Sequence, residues 1–377
     1  MLWQLIVQFR DIYAIKNKDK YFNFFKKHIL NGVNHVIKKE KLLKFCMNTL
    51  LKLKMDEEKA FCTSRILIEA DMMGHSTHGV RLLPMYVNDI EVGKMNLDGN
   101  ELIVNDKGSC CTWNGNLLPG IWLTNKALET AAKRSKKYGI VTIGIGNSHH
   151  NGALAAYMLP FVEKGLIIII KSSVPSSASV APFGGTEPLL TPNPMAMAFP
   201  TNEEPVIIDI SASITTNNMI GEMIVNNKKF DFDCLLSSSG LPTNDPIEVR
   251  KKGGSVLPIG GMEYGHKGFG LALGVEALSQ GLSGFGRLNK PKGMNLSTFV
   301  QVIDPEFFSG LKTFKDNMSF TVNKAKINKP IQGKKIFIPG QRAISRRQKA
   351  IDNGIKLSDT TISSLKKMSQ NYNINFV

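Results

Sequence analysis

A helical pattern and a strand pattern alternate twice between Leu123 and Lys171, where the chain reads LTNKALETAAKRSKKYGIVTIGIGNSHHNGALAAYMLPFVEKGLIIIIK. The helical segments carry apolar residues at helical spacing, and the strand segments are short runs rich in valine and isoleucine. Gly139, after the first helical segment, is a typical helix-ending residue. In chain order the predicted elements are helix 123–138, strand 140–145, helix 152–163 and strand 166–171. This alternation predicts an α/β fold with a mixed sheet.

Further predicted elements extend this region in both directions. Upstream, three helical patterns cover 36–51, 56–73 and 80–92, the last ending before Gly93. Downstream, a Ser-, Pro- and Gly-rich loop runs from Ser172 to Pro194, and loops of that length in compact domains are usually functional or disordered. The remaining predicted elements are strands 195–200 and 206–210, helix 267–280, strand 299–304 and helical chain from Gly340 to Met368.

Composition and charge exclude several classes of protein. Of the 377 residues, 42% are apolar, and the apolar stretches fall far short of the roughly 20 residues that a membrane span requires. The net charge of +16 is concentrated at the ends, because residues 1–60 carry +7, residues 312–377 carry +11 and the middle carries −2. The terminal lysines alternate with apolar residues, as on solvated helix faces, so we expect neither nucleic-acid nor membrane binding.

Cysteine usage and the first 34 residues bear on the compartment. The five cysteines are odd in number and none forms a CxxC pair, which favours a reducing compartment and argues against a disulfide framework or a structural zinc site. Residues 1–34 contain one Arg, no Ser and two acids, whereas a mitochondrial presequence is usually rich in Arg and Ser and poor in acids. We therefore expect a lineage-specific leader and a cytoplasmic protein, with a mitochondrial presequence as the alternative.

The first candidate site is DMMGHSTHG, residues 71–79, at the end of the second predicted helix. His75 and His78 are three residues apart and could share one helix face as metal ligands, but no carboxylate or cysteine stands nearby at ligand spacing. Two histidines among glycines, followed by Arg81, favour a site that protonates an oxygen and holds an anion. We predict acid/base chemistry here and no metal.

The second candidate site is NSHHNG, residues 147–152, between a predicted strand and a predicted helix. Ligands of α/β folds bind at such strand ends, and the amides of a helix N-terminus can receive an anion. The alternative is a pair of exposed loop histidines with no function.

Glycine-rich segments do not match the common nucleotide-binding patterns. Gly144 and Gly146 follow a strand, but His149 occupies the third glycine position of a dinucleotide fingerprint, and the chain has no P-loop and no GxSxG. Lys267, beside glycines at the start of a predicted helix, is nevertheless a reasonable phosphate contact. A standard dinucleotide fold is therefore not supported.

Eight segments in order resemble one family, the malate/L-lactate dehydrogenases of the non-Rossmann type, which includes L-sulfolactate, ureidoglycolate and 2,3-diketogulonate oxidoreductases. The segments are ADMMGHSTHG (70–79), GIGNSHHNGA (144–153), APFGGTEPLLTPNPMAMAFP (181–200), IIDIS (207–211), LPTNDP (241–246), GHKGFGLAL (265–273), VIDPEFF (302–308) and IPGQR (338–342). The resemblance implies a homodimer that transfers a hydride between NAD or NADP and a malate- or L-lactate-like 2-oxo/2-hydroxy acid. It also implies a helical substrate and dimer part at 35–115 and 310–377, and a cofactor domain of non-Rossmann topology at 116–309.

The resemblance also implies roles for individual residues. His78, or else His150, would transfer the hydroxyl proton, and Arg81 with Thr77 would bind the substrate carboxylate. The implied cofactor contacts are Ser177, Asn193, Pro194, Ile208, Asp209, Ile210, Ser211, His266, Lys267, Gly340, Gln341 and Arg342. The sequence does not choose between NADH and NADPH, because it shows no βαβ unit with a diagnostic acid or arginine.

Three departures from the family pattern define a rival interpretation. Arg81 stands one residue earlier than the family arginine, Pro192 precedes Asn193 in the long loop, and 215–239 is Asn-rich rather than basic. A catalytically weakened paralogue that acts as a dimeric binding or scaffold protein is therefore the second hypothesis. A basic nucleic-acid-associated protein is the third, and it rests on the pI alone.

Overall fold

The computed structural model describes residues 35–376, so the predicted leader lies outside the described residues. In chain order the strands are β1 His35–Ile37, β2 Leu102–Asp106, β3 Cys110–Asn114, β4 Ile140–Ser148, β5 Ile167–Ser173, β6 Met195–Phe199, β7 Val206–Ile210, β8 Leu235–Leu236, β9 Pro242–Thr243, β10 Ser255–Val256, β11 Leu296–Ile303 and β12 Ile355–Leu357. The helices are α1 Lys39–Lys52, α2 Glu57–Met73, α3 Leu83–Glu91, α4 Gly120–Tyr138, α5 Leu159–Val162, α6 Asn217–Val225, α7 Pro246–Lys251, α8 Gly261–Glu276, α9 Leu311–Lys326, α10 Gln341–Asn353 and α11 Asp359–Tyr372. None of these helices is long and apolar enough to cross a bilayer.

A seven-stranded sheet in the order β2-β3-β4-β11-β5-β6-β7 organises the centre of the molecule. Only β3 and β4 run parallel, and α4 connects them, whereas the other neighbours are antiparallel. Two small sheets, β1-β12 and β10-β8-β9, lie outside it. The predicted α/β class with a mixed sheet is therefore confirmed.

The second predicted helix, 56–73, is confirmed as α2, and its ends follow from two residues. The Asp56 carboxylate accepts a hydrogen bond from the Lys59 amide at 2.8 Å and so caps the helix N-terminus. Gly74 ends the helix at φ 88°, a conformation that suits glycine. Buried residues occur on several sides of α2, so it is a central helix of the main hydrophobic core.

Four predicted helices begin late or are interrupted, and prolines account for two of them. The predicted helices 123–138 and 267–280 instead begin earlier, at Gly120 and Gly261. Pro160 has no amide hydrogen for residue 156, so the predicted helix 152–163 is a 3₁₀ turn, Leu154–Tyr157, followed by the short α5. Pro84 likewise separates the 3₁₀ turn Val80–Leu82 from α3 within the predicted helix 80–92.

Long-range strand pairing accounts for the third error and contributes to the fourth. Val36 and Ile37 belong to β1, which pairs with β12, so α1 begins at Lys39 rather than at Val36. The same pairing interrupts the predicted C-terminal helix after Gly354, whose φ is 90°. A β-branched pair fits a strand as well as a helix, and only the distant partner decides between them.

Two strands of the central sheet were not predicted. β2 and β3 add an antiparallel pair to one side of the central sheet, and the β2 residues Leu102, Ile103 and Val104 are each more than half exposed. Both strands lie within 35–115, which the sequence assigns to the helical part. The division into domains stays a prediction.

The apolar residues form two cores. The main core lies on the central sheet and around α2 and α4. The second core is much smaller and packs beneath α6 and beside the β10-β8-β9 sheet. Its buried members are Val180, Leu190, Ala212, Ile220, Cys234, Leu235, Val256 and Ala272.

Candidate active site

His78 lies on the 3₁₀ turn Ser76–His78, and protein groups occupy both of its ring nitrogens. The Thr77 hydroxyl is 3.0 Å from Nδ1, and the Asn218 side-chain nitrogen is 3.3 Å from Nε2. The same Asn218 nitrogen donates to the Thr77 carbonyl at 3.3 Å, so it is an NH₂ group and Nε2 accepts. Nδ1 therefore carries the hydrogen of the neutral ring.

His150 differs because one of its nitrogens is open. The Gly152 amide donates to Nδ1 at 3.2 Å, and the Tyr86 hydroxyl lies 2.8 Å from the same nitrogen. Since an amide can only donate, Nδ1 is an acceptor and Nε2 carries the hydrogen. Within residues 35–376, Nε2 has no hydrogen-bond partner, so it is available to a substrate.

The two imidazoles stack on each other, with ring centroids 5.8 Å apart and planes 11° from parallel. Burial, with a smaller contribution from His75, lowers the pKa of His78 to about 4. Burial, with His78 and His149, holds the pKa of His150 well below its usual value. Both rings are thus neutral near pH 7 in the free protein, and the sequence motifs at 71–79 and 147–152 meet at one place.

A close approach of backbone to backbone fixes the loop that carries His150. Gly120 is the first residue of α4, and a Cβ there would lie 1.9 Å from the carbonyl oxygen of His149. Glycine is therefore required at this contact. His149 is fully buried, and its Nε2 is 3.1 Å from the Asp89 carboxylate. The alternative of two exposed loop histidines is wrong.

A partly buried carboxylate holds the loop that carries His78. Asp71, on the last turn of α2, accepts a hydrogen bond from the Val80 amide at 2.7 Å. A Cβ on Gly79 would lie 2.2 Å from this carboxylate. Burial raises the pKa of Asp71 to about 7, with the Val80 hydrogen bond acting in the opposite direction.

The ion-pair partner of Arg81 lies on α6. The Nη1 atom of Arg81 is 3.9 Å from the Glu222 carboxylate on α6, and both side chains are about 40% exposed. Glu222 and Asn218 are four residues apart on α6, so one face of this helix covers both Arg81 and His78.

The predicted cofactor residues converge on β7 and the chain that follows it. The Pro192 carbonyl, next to Asn193, accepts from the Ala212 amide at 2.8 Å, just after Ser211. A Cβ on Gly268 would lie 2.9 Å from the Ala212 carbonyl, and a Cβ on Gly340 would lie 2.8 Å from the Ile207 amide. α8 and the start of α10 therefore both abut this strand.

The predicted cofactor residues differ in their exposure and in their contacts within the protein. His266 and Lys267 are exposed on α8, and the ring of His266 lies against Phe183 at 5.7 Å. Asp209 is partly buried, and desolvation raises its pKa, while His75 acts in the opposite direction and the Ala155 amide donates to its carboxylate at 3.0 Å. Ser177 is exposed, and its carbonyl accepts from Arg287 at 2.6 Å.

Asn193 is engaged within the protein. It is fully buried at φ 46°, and its side-chain nitrogen donates to Glu276 at 2.8 Å and to the Ala272 carbonyl at 3.2 Å. It positions the long loop against α8. Gln341 accepts from the Ile338 amide at 3.2 Å, and the exposed Arg342 lies over the Phe337 ring.

The N-terminus of α8 fits the phosphate groups of a nicotinamide dinucleotide. α8 begins at Gly260 and Gly261, both at positive φ, without a side-chain cap. The Gly261 amide donates to the Pro258 carbonyl at 3.0 Å, which leaves the amides of Met262 and Glu263 without an intrahelical carbonyl. With Lys267 on the second turn, this end of α8 suits a phosphate group.

Sequence reasoning missed Asp71, Tyr86, Asn218 and Glu222. Their contacts are with residues far away in sequence, since Tyr86 is 64 positions from His150 and Asn218 is 140 positions from His78. Asp71 had a local signal, because it stands in the same nine-residue motif as His78.

Comparison with known proteins gives a consistent result along the chain. A sequence model of the family "Malate/L-lactate dehydrogenase" matches residues 37–366. The malate dehydrogenase of Pyrococcus abyssi is 33% identical, with 89% of this chain and 94% of the relative covered. The malate/(S)-sulfolactate dehydrogenase of Methanothermus fervidus is 30% identical, with 90% and 98% covered. The ureidoglycolate dehydrogenase (NAD(+)) of Escherichia coli K12 is 27% identical, with 86% and 93% covered.

Solved structures agree with the sequence relatives. Malate dehydrogenase from Entamoeba histolytica superposes with a TM-score of 0.85 at 27% identity, covering 90% of this chain and 98% of that one. Malate dehydrogenase from Pyrococcus horikoshii OT3 superposes with a TM-score of 0.82 at 28% identity, covering 91% and 97%.

Proposed function

The chain belongs to the malate/L-lactate dehydrogenase family and is, at that level, a hydroxyacid dehydrogenase; from this premise we propose that it interconverts a 2-oxo acid and a 2-hydroxy acid with NAD or NADP. The default substrates are malate- and L-lactate-like acids. When bound, the nicotinamide supplies or takes up a hydride at its C4. The observation that carries the proposal is the stacked pair His78–His150 with the open Nε2 of His150.

His150 is the proposed proton donor and acceptor. Its Nε2 is the only nitrogen of the pair without a partner among residues 35–376, so the proton of the C2 oxygen passes through this atom. The negative charge of a bound acid favours the protonated imidazole, so it raises the pKa of His150 from its low value in the free protein. Reduction starts from the imidazolium, so Nε2 gives its proton to the oxygen at C2 while the second hydrogen stays on Nδ1, towards the Tyr86 hydroxyl. Oxidation reverses this step and therefore needs the Nδ1–H tautomer, with Nε2 bare, rather than the Nε2–H tautomer of the free protein.

Tyr86 is the proposed positioning residue for His150. Its hydroxyl, 2.8 Å from Nδ1, can donate to the bare nitrogen or accept from the protonated one. The ring of His150 therefore keeps one orientation in both protonation states. Tyr86 itself is almost fully buried, which holds the hydroxyl in place.

Arg81 is the proposed receptor of the substrate carboxylate, with Thr77 holding the neighbouring His78. In the free protein the Glu222 carboxylate lies near Arg81, so substrate would replace one carboxylate by another. The same pairing favours the rival function, a weakened paralogue that acts as a binding or scaffold protein, because a resident carboxylate competes with substrate.

The residues that would hold the cofactor are those that converge on β7. Asp209, Ser211 and Gly340 line or adjoin that strand, and Lys267 with the first amides of α8 would hold phosphate. The other proposed contacts keep their predicted assignment: Ser177, Asn193, Pro194, Ile208, Ile210, His266, Gln341 and Arg342. NADH and NADPH remain equal candidates.

Nicotinamide absorbance tests the proposal. NADH and NADPH are each mixed with wild type and oxaloacetate, pyruvate or bulkier 2-oxo acids, and the same panel is run with His150→Gln and His78→Gln. We expect turnover with at least one pair and a loss of about 10²–10⁴-fold in His150→Gln, with a smaller loss in His78→Gln. The reverse order would move the proton to His78. No turnover in wild type, with cofactor fluorescence still quenched, would support the rival function.

We also propose a cytoplasmic homodimer. Large apolar side chains are exposed on α8 and α9, including Leu273 at 47% and Phe320 at 66%, and such residues are typical of subunit interfaces. Light scattering after size exclusion gives the mass directly, and a monomer at micromolar concentration would contradict the dimer. Cell fractionation tests the compartment.

A further inference from the structure

Two residues on one face of α3 contact two consecutive histidines. Tyr86 and Asp89 are three positions apart on this helix, and both side chains are buried. The Tyr86 hydroxyl is 2.8 Å from Nδ1 of His150, and the Asp89 carboxylate is 3.1 Å from Nε2 of His149. The rings of Tyr86 and His149 meet edge to face, with centroids 5.6 Å apart. A continuous row of contacts therefore leads from Asp89 through His149 and Tyr86 to His150.

Two hydrogen-bond donors favour the ionised form of the Asp89 carboxylate. One oxygen faces Nε2 of His149, and the other accepts from the Asn88 side-chain amide at 3.3 Å. Hydrogen bonds to a carboxylate stabilise its charged form. Because an ionised carboxylate can only accept, Nε2 of His149 carries a hydrogen.

His149 itself is neutral near pH 7. Its Nδ1 atom is buried and makes no hydrogen bond within residues 35–376. On an imidazolium this atom would be a charged donor without a partner, which is among the costliest groups to bury. Burial also lowers the pKa of His149, against the smaller opposing effect of Asp89. The Asp89–His149 pair therefore carries one net negative charge.

The titratable rings next to this row are also neutral near pH 7. His78 stacks on His150, and burial lowers the pKa of His78 to about 4. Burial and the Cys62 thiol raise the pKa of Tyr157, with a smaller opposing effect of Arg65. Neither of these two rings supplies a charge to His150.

Asp89 supplies the charge that acts on Tyr86. Burial raises the pKa of Tyr86, and the Asp89 carboxylate raises it further. Tyr86 therefore keeps its hydroxyl hydrogen and can accept from Nδ1 of His150 when that nitrogen is protonated. A negative charge close to this hydrogen bond favours the state in which His150 is positive.

We propose that Asp89, held by His149, is a positioning residue whose negative charge favours the imidazolium form of His150. This inference rests on the function proposed above, in which reduction starts from that imidazolium. Asp89 acts through Tyr86 rather than on the reacting atoms. Its charge stays in place when Nε2 of His150 gives up a proton, so it also favours the return of a proton to His150 after each turnover.

The pH profile of kcat for reduction of a 2-oxo acid tests the charge. Asp89→Asn removes the charge but keeps an oxygen for Nε2 of His149, whereas His149→Gln keeps the charge and a side-chain donor for the carboxylate. Glu91→Gln is the matched control, because it removes one charge from the exposed end of α3 and keeps an oxygen for the Tyr372 hydroxyl.

We expect the pH at which kcat declines to be lower in Asp89→Asn by about half a unit to one unit, as for removal of a charge about 10 Å away in a protein interior. Above that pH, kcat falls about three- to tenfold, because one pKa unit corresponds to a factor of ten. His149→Gln and Glu91→Gln should decline at the wild-type pH. A lower kcat in Asp89→Asn without a shift would mean a purely structural role and overturn the proposal, and so would an equal shift in Glu91→Gln.

Nitrogen-15 NMR of the histidine side chains tests the pair without substrate or turnover. His149→Gln identifies the His149 signals by their loss. We expect His149 to be neutral with its hydrogen on Nε2 between about pH 6 and pH 8, and His150 to begin protonation at a lower pH in Asp89→Asn than in wild type. A His149 imidazolium near pH 7 would leave the pair without net charge and overturn the proposal. Because this measurement does not depend on turnover, it still decides the charge of the pair if the absorbance panel shows no activity, so the two proposals fail separately.

Discussion

His78 and His150 are assigned different roles because different groups contact their ring nitrogens. His78 has both nitrogens occupied by Thr77 and Asn218, whereas His150 has one nitrogen open. The sequence motifs predicted that both residues belong to a site, and the structure brings them into stacking contact. Their order in the mechanism could not be predicted, because it depends on Tyr86 and Asn218, which no local pattern marks.

The Tyr86→Phe substitution tests the positioning of His150. The change keeps the ring and its buried packing but removes the hydroxyl 2.8 Å from Nδ1. We expect kcat to fall about three- to tenfold, the usual effect of one hydrogen bond, and the pH profile of kcat to shift. Tyr138→Phe, at a residue 42% exposed, is the control. An unchanged pH profile would rule out the positioning role.

The Asp71→Asn substitution tests the buried carboxylate through the pH dependence of stability. Because burial raises the pKa of Asp71 to about 7 from 3.8, the folded protein binds more protons than the unfolded chain in this range. This carboxyl therefore stabilises the fold at low pH, and its contribution is lost as the pH rises through 7. We expect the free energy of unfolding in urea to fall less for Asp71→Asn than for wild type between pH 5 and pH 8.

His78 and His150 change stability with pH in the direction opposite to Asp71, and they serve as the control. Their pKa values are lowered by burial, so their contribution is present above the unfolded pKa of about 6.5 and is lost as the pH falls towards 4. Both remain in Asp71→Asn, so their contribution is the same in the two proteins, and the difference in slope between wild type and Asp71→Asn is expected only between about pH 4 and pH 7. Equal slopes for both proteins across that range would contradict the assignment of Asp71.

At the scale of elements, α6 is the part that connects the second core to the catalytic loops. Ile220 anchors it in the second core, while Asn218 and Glu222 reach His78 and Arg81. No helix was predicted here, because the segment 215–239 is Asn-rich. Elsewhere, a helix boundary could be predicted where a capping residue lies next to it in sequence, as at Asp56 and Gly74. The boundary near Val36 could not be predicted, because it depends on pairing with a distant strand.

The Glu222→Gln substitution tests the contact between α6 and Arg81. Removing the carboxylate removes the charge that competes with substrate for the guanidinium. We expect the KM for a 2-oxo acid to fall about two- to tenfold at low salt with kcat unchanged, because exposed ion pairs contribute little more than this. Glu263→Gln, in the first turn of α8, is the control. A rise in KM would mean that Glu222 helps to hold the substrate.

At the scale of the whole molecule, two cores of unequal size imply unequal local stability. The main core joins the central sheet, α2 and α4, whereas the second core has few buried members around α6 and the β10-β8-β9 sheet. The family resemblance predicted from eight motifs is confirmed, and it extends over both cores. The existence of the second core was not predicted, since its strands have only two residues each.

Hydrogen exchange followed by mass spectrometry tests this inequality. Regions with few buried apolar contacts open locally at lower free energy than the global unfolding. We expect the amides of α6, α7 and β8–β10 to exchange at least tenfold faster than those of β4, β11 and β5. Uniform exchange across both regions would mean that the two cores unfold as one cooperative unit.

The pairing of β1 with β12 has a consequence for synthesis of the chain. His35 pairs with Leu357, so a strand near the start of the described residues waits for one that is 322 positions later in the chain. During translation at about 5–20 residues per second, β1 remains without its partner until nearly the whole chain has been made. α10, which packs on α2 through the ion pair of Arg347 with Glu69, also arrives late. The apolar surface of α2 that packs against α10 is therefore exposed while the chain is still on the ribosome. A nascent-chain chaperone would bind to this surface.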